Sequence, residues 1–178
     1  GRAQVERSLR DLGTDYLDLY LVHWPVPGKH VAAYLELEKC QAEGLVKSIG
    51  VSNYAVEDVE ELLQYASIVP AVNQIELNPF LYRRETLNYL EKKGIKVQAY
   101  RALRDGKAFD DATINAVAKK HGATPAQVLG AWCVAKGAIY MPKSTKRERM
   151  VENANVFQLA AALDADDFSR LDALTTPG

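Results

Sequence analysis

Residues 15–25 read D-Y-L-D-L-Y-L-V-H-W-P. The stretch is a nearly continuous apolar run, too short to span a membrane, and it stops at His23, Trp24 and Pro25. Its apolar and aromatic content suits a strand buried on both faces, as in a parallel sheet. Pro25 ends it because proline has no N–H to give to the ladder. His23 therefore falls at the strand's C-terminal end, where parallel α/β folds carry their chemistry.

Working outward, short apolar runs alternate with helical patterns along the chain. Residues 2–12 form a helical pattern with Val5, Leu9 and Leu12 on one face and Gly13 as its stop. Further strands are predicted at residues 46–51, 71–76, 95–100 and 138–141. Helices are predicted at residues 31–43, 56–66, 84–93 and 125–136, with one around Ile114, Val117, Ala118 and His121 and short ones at 148–154 and 165–174. Thr124-Pro125 is an N-cap followed by proline at the first helical position, and Asp164 caps the last helix. The alternation is the βαβ pattern of a parallel sheet. Five strands would build an open doubly wound sheet; a closed eight-stranded barrel needs more chain. No glycine-rich fingerprint follows any strand, which weakens a dinucleotide-binding Rossmann reading.

The 178 residues suffice for one domain, and the formal net charge is -1. No long run of one sign occurs, so nucleic acid and anionic membranes are not expected partners. Cys40 and Cys133 lie within helical patterns and read as buried thiols of a reducing compartment. No Cys/His spacing suggests a metal site. No signal peptide or transmembrane run is visible, and a cytoplasmic setting is expected. The chain opens on a helical pattern without an initiator Met, so a natural start further upstream is expected.

Polar groups collect at the strand ends: His23-Trp24, Ser52-Asn53, Gln74 with Glu76 and Asn78, Tyr100, and Lys143-Ser144. Each alone has an ordinary explanation as a loop, cap or satisfied core group. Their recurrence at five strand ends points to one rim around a shared cavity. Residues 141–153, M-P-K-S-T-K-R-E-R-M-V-E-N, crowd Lys143, Lys146, Arg147 and Arg149 into a loop that opens a helix. Backbone N–H groups at a helix start, beside lysine and arginine, suit a phosphate; the alternative is a solvated cationic turn.

With these stretches in hand, the sequence resembles the aldo-keto reductase family. D-Y-L-D-L-Y-L-V-H-W-P, G-L-V-K-S-I-G-V-S-N-Y, P-A-V-N-Q-I-E-L-N-P and M-P-K-S-T-K-R-E-R-M-V-E-N are similar to four of its motifs, in order and at family-like spacing. The resemblance implies a (β/α)8 TIM barrel that reduces aldehydes and ketones with NADPH. About five β/α units, strands 4–8, would be present, from the third barrel helix and fourth strand onward. Residues 1–178 would then be the C-terminal portion of a single barrel domain. His23 matches the catalytic histidine at the substrate carbonyl, and Trp24 would line the substrate pocket. Ser52, Asn53 and Gln74 match the groups that hold the nicotinamide carboxamide, and Tyr100 the ring that stacks on it. Lys143, Ser144, Arg149 and Asn153 match residues that hold the adenosine 2′-phosphate and adenine, with Glu152 beside them.

Two departures stand out. The family's catalytic Asp, Tyr and Lys belong to strands that the chain does not contain, so the fragment alone is expected to be inactive. Arg101-Ala102-Leu103 stands where the family commonly has Ser-Pro-Leu, and Arg101 is expected to contact the cofactor pyrophosphate. Substrate specificity is expected from the rim loops and from the tail that would continue beyond residues 175–178. The competing reading is a non-catalytic aldo-keto-reductase-like subunit, or an NADPH-binding scaffold, in a larger assembly. A further one is a half barrel that pairs with a second copy to cover its strand edges.

Overall fold

Three helices of this chain start at a capping side chain, Asp111, Thr124 or Asp164, and strands form where short apolar runs lie between helices. The computed structural model describes residues 1–175. In order the elements are α1 (Arg2–Leu12), β1 (Leu17–Val22), α2 (His30–Ala42), β2 (Val46–Ser52), α3 (Val56–Leu63), β3 (Val72–Glu76), α4 (Arg84–Lys92) and β4 (Lys96–Tyr100). A 3-10 turn (Arg104–Gly106) follows, then α5 (Ala112–His121), α6 (Pro125–Ala135), β5 (Ile139–Tyr140), α7 (Arg147–Ala154), α8 (Phe157–Ala162) and α9 (Ala165–Asp172). The chain is an α/β fold with five parallel strands among the described residues. Among the described residues, no helix is long and apolar enough to cross a membrane. Two compact units are present, residues 1–75 with 85–96, and residues 76–84 with 97 onward.

In the first unit β1, β2 and β3 pair in chain order. Leu17 lies opposite Val46, Val22 opposite Val51, and Ser52 opposite Gln74. Pairing each strand with its successor lacks the reversal that marks a doubly wound sheet. Tyr34, Leu37 and Cys40 of α2 and Val59 and Leu62 of α3 are buried with Ile49 and Val51 of β2. Gly50 is required by close approach: a Cβ there would lie 2.7 Å from the Val72 carbonyl oxygen and 2.8 Å from Leu21 Cδ2. The β1 strand departs from expectation. Its sequence predicts burial on both faces, yet Leu17, Leu19, Tyr20, Leu21 and Val22 are only half-buried and Asp18 is exposed. Within its unit β1 pairs with β2 alone, so a full apolar run does not by itself secure full burial.

In the second unit β4 pairs with β5, Gln98 opposite Ile139 and Ala99 opposite Tyr140. Thr124 caps α6 as read from the sequence. Its Oγ1 accepts from Gln127 N at 3.2 Å, and Gln127 Oε1 accepts from Thr124 N at 3.1 Å, a reciprocal capping box. Asp164 caps α9 in the same way with Asp167, both bonds at 3.0 Å. The buried Asp167 carboxylate also accepts from Lys120 Nζ at 2.8 Å and pairs with His121 Nε2 at 2.7 Å, which ties α9 to the end of α5. Burial pushes its pKa up, but the bonds from Lys120, Asp164 N–H and His121 outweigh this and hold it at about 2.

Asp172 closes a second cluster. It accepts from the indole N–H of fully buried Trp132 at 2.8 Å and from Lys136 Nζ at 2.7 Å. The Lys136 ammonium also lies over the rings of Tyr82 and Phe168, 4.6 and 4.8 Å from their centroids. Helix α8 was not expected from sequence. Its first residue follows Val156, which offers no side-chain cap, and the helix packs against α6 instead. Positions 176–178, beyond which the sequence predicts a specificity tail, lie outside the described residues.

Candidate functional site

The first unit holds five of the expected residues, four at strand ends and Gln74 inside β3. His23 follows the last residue of β1 and is exposed, and Trp24 is 55% exposed beside it, their ring centroids 6.0 Å apart. Ser52 closes β2 and is buried, and its hydroxyl donates to the Gln74 carbonyl at 2.8 Å. Asn53 adopts a left-handed conformation, φ +63°. This turn lets its backbone N–H reach the Gln74 carbonyl at 2.9 Å. Its Nδ2 donates to the His23 carbonyl at 3.1 Å and to Ser52 Oγ at 3.0 Å. Asparagine tolerates this region better than most residues, so a polar side chain and a sharp turn are obtained at one position. The Ser52 and Asn53 side chains thus tie the backbone carbonyls of His23 and Gln74 into one hydrogen-bonded rim across β1, β2 and β3.

The rim is braced from below. Asn73, fully buried, accepts from Tyr54 N at 3.4 Å and donates to Tyr54 O at 2.9 Å. This fixes the chain that leaves Asn53. A buried amide is stable here because its two polar atoms both meet the same backbone residue.

The second unit holds the rest. Tyr100 ends β4 half-buried, its carbonyl accepting from Leu77 N at 3.4 Å. A cavity of about 550 Å³ lies beyond it, lined by Arg101, Lys143, Ser144, Arg149, Glu152 and Asn153 among others. Lys143 and Arg149 are exposed, as are Lys146 and Arg147 of the same segment. Ser144 is used locally: its hydroxyl accepts from Lys146 N at 3.1 Å and organises the turn into α7. Asn153 is 6% exposed and its Oδ1 accepts from the Tyr140 hydroxyl at 3.3 Å. Glu152 accepts from the Thr124 hydroxyl, which joins α7 to the start of α6.

Arg101 is more committed than its sequence position suggested. It has φ +50°, and its guanidinium forks between Glu76 at 3.2 Å and Asp105 at 2.9 Å. The side chain lines the cavity while both carboxylates hold it. Glu76 and Asp105 as partners of Arg101, Thr124 as partner of Glu152, and Tyr140 as partner of Asn153 were not anticipated. Only the ordinary signals of a strand end, an acidic loop and an N-cap mark them in sequence. Among acidic groups, Asp164, Asp166 and Asp167 bring carboxylate oxygens within 4.8 Å of one another. Two of these already serve as cap and ion-pair partners.

Chemically, the first unit offers an exposed imidazole beside a rim of amide and hydroxyl groups. The second offers a cationic cavity with a buried amide at its wall, suited to an anionic group such as a phosphate.

A sequence profile of the Aldo/keto reductase family matches residues 2–176. The chain is 40% identical to the glyoxal reductase of Bacillus subtilis over 172 residues, covering 97% of this chain and 62% of that protein. It is 42% identical to the uncharacterized oxidoreductase YtbE of the same organism, covering 97% of this chain and 61% of the relative. Among solved structures it is similar to a Gox0644 mutant in complex with NADPH. That match has a TM-score of 0.92 and 40% identity, over 98% of this chain and 64% of that one. The chain spans about three fifths of the length of the curated relatives it matches.

Proposed function

This chain belongs to the aldo/keto reductase family, and from that premise we propose that it serves NADPH-dependent reduction of aldehydes and ketones to alcohols. Its five β/α units correspond in this reading to strands 4–8 of an eight-stranded barrel, with residues 1–178 as the C-terminal portion of that single domain. The observation that carries the reading is the cavity where Lys143 and Arg149 meet the buried Asn153 amide. A 2′-phosphate is a dianion, and an arginine fork with a lysine charge beside it favours NADPH over NADH. Glu152 and Asn153 sit at the adenine end.

NADPH, when bound, supplies the hydride, so the protein's part is orientation and electrostatics. Ser52, Asn53 and Gln74 hold the nicotinamide carboxamide, and Tyr100 offers its ring to the nicotinamide. Arg101 contacts the pyrophosphate by exchanging Glu76 or Asp105 for it. His23 positions the carbonyl oxygen of a small-molecule substrate, and Trp24 supplies an apolar wall to its pocket. No residue of this chain matches the family's proton-donating Tyr, its Asp or its Lys. The chain alone therefore binds cofactor without turning over a carbonyl. Two free buried thiols agree with a cytoplasmic setting.

Fluorescence titration with NADPH and NADH tests this reading. We expect NADPH to bind at least about tenfold more tightly, and Lys143→Ala with Arg149→Ala to abolish the preference. Equal affinity for the two nucleotides, or for neither, would sink it. NADPH oxidation with a simple aldehyde by the full-length protein separates a reductase from a non-catalytic subunit of an assembly.

A further inference from the structure

Tyr140 has no part in the reading above: it does not line the cavity that holds Lys143 and Arg149, and with Asn153 it lines a second one of about 680 Å³ on the other side. It is nevertheless held from three sides within the second unit. Its backbone lies opposite Ala99 of β4, and the next N–H, that of Met141, donates to the Ala99 carbonyl at 3.2 Å. Its ring end fills a notch on α6: a Cβ added at Gly130 would come 2.8 Å from Tyr140 Cζ and 2.9 Å from Cε1. Its hydroxyl reaches Asn153 Oδ1.

A carboxamide can present oxygen or nitrogen to a guest by a half-turn about its last bond. At Asn153 the Tyr140 hydroxyl, as donor, takes the oxygen. That leaves the amide nitrogen, with no hydrogen-bond partner among the described residues, as the group available to the cavity. Burial pushes the Tyr140 phenol above its ordinary pKa, so it stays a donor at neutral pH. Thr124, bonded to the neighbouring Glu152, steadies the same turn of α7.

We propose that Tyr140 is a positioning residue for nucleotide recognition, one that commits the Asn153 amide N–H groups to an acceptor nitrogen of a purine base. The inference rests on the cofactor reading of the cavity. It adds a specificity element behind the site: Tyr140 acts through Asn153 and touches no guest itself.

Isothermal titration of the full chain with adenosine 2′,5′-bisphosphate tests it. Tyr140→Phe keeps the ring in the Gly130 notch and removes one oxygen. It should weaken binding about three- to tenfold, the range of one hydrogen bond. Its salt dependence should match that of the unchanged protein, since the Lys143 and Arg149 contacts remain. Asn153→Ala should weaken binding by a similar factor, and adding Tyr140→Phe to it should cost nothing more, the coupling expected of a pair acting as one. If the unchanged protein binds but Tyr140→Phe is silent, or weakens binding equally with Asn153→Ala present, the positioning role is wrong and the cofactor reading survives. If the unchanged protein does not bind the bisphosphate at all, the cofactor reading falls and this inference falls with it.

Discussion

Replacing Asp172 with alanine removes the acceptor on which three donors of the second unit converge. The Trp132 indole N–H is fully buried, and losing its partner costs about 1–3 kcal/mol. Lys136 is 15% exposed and loses a charge-assisted bond of about 1.5–3 kcal/mol, softened by the aromatic faces around it. Arg84 reaches Asp172 only at 3.4 Å from a side chain 62% exposed, so its share is negligible. The sum is about 3–5 kcal/mol for Asp172→Ala. Asp172→Asn has one oxygen for two donors, so it can satisfy Trp132 only by turning its amide toward Lys136, and about 2 kcal/mol is expected. Urea unfolding followed by tryptophan fluorescence measures both. Trp132 is the buried reporter, while Trp24 is already largely exposed. A cost below about 1 kcal/mol for Asp172→Ala would refute the view that this carboxylate anchors α9.

Three further outcomes follow from features of each unit. The Asp167 carboxyl is held at about 2 against an ordinary 3.8. Its stabilisation is therefore full above pH 4 and is lost as pH falls toward 2. Relative to Asp167→Asn, the protein should lose about 1–2 kcal/mol across that window in unfolding titrations, allowing for screening at half-exposed Lys120; a constant difference would show that the carboxylate is not the acid-sensitive group. Gly50→Ala drives a Cβ into a carbonyl that cannot move without shifting β3, so a loss of about 1–3 kcal/mol is expected, and an unchanged midpoint in urea would mean β2 and β3 have room to part. Arg101→Ala should weaken NADPH binding and flatten its salt dependence; if both are unchanged, the guanidinium serves only Glu76 and Asp105.

Local chemistry made much of this legible. Thr124-Pro125 and Asp164 announce helix starts because capping is satisfied within four residues, and the structure uses both. The rim residues were readable because β-strands end where polar groups and prolines interrupt apolar runs. Features set by distant neighbours were not. The burial of β1 depends on what lies beside it, which its own residues do not encode. Helix α8 has no cap signal and is held by α6. Arg101 meets Glu76 across 25 residues, and Asn153 meets Tyr140 across 13, separations at which spacing carries no message.

The two cysteines give the chain a pair of internal clocks. Cys40 is buried in the first unit and Cys133 in the second, both as free thiols. Burial raises both thiol pKa values, that of Cys133 to about 12, so neither reacts until its surroundings open. Alkylation rates at the two sulfurs would time the opening of each unit separately. Equal rates would mark one cooperative event, and a fast Cys40 beside a slow Cys133 would mark two.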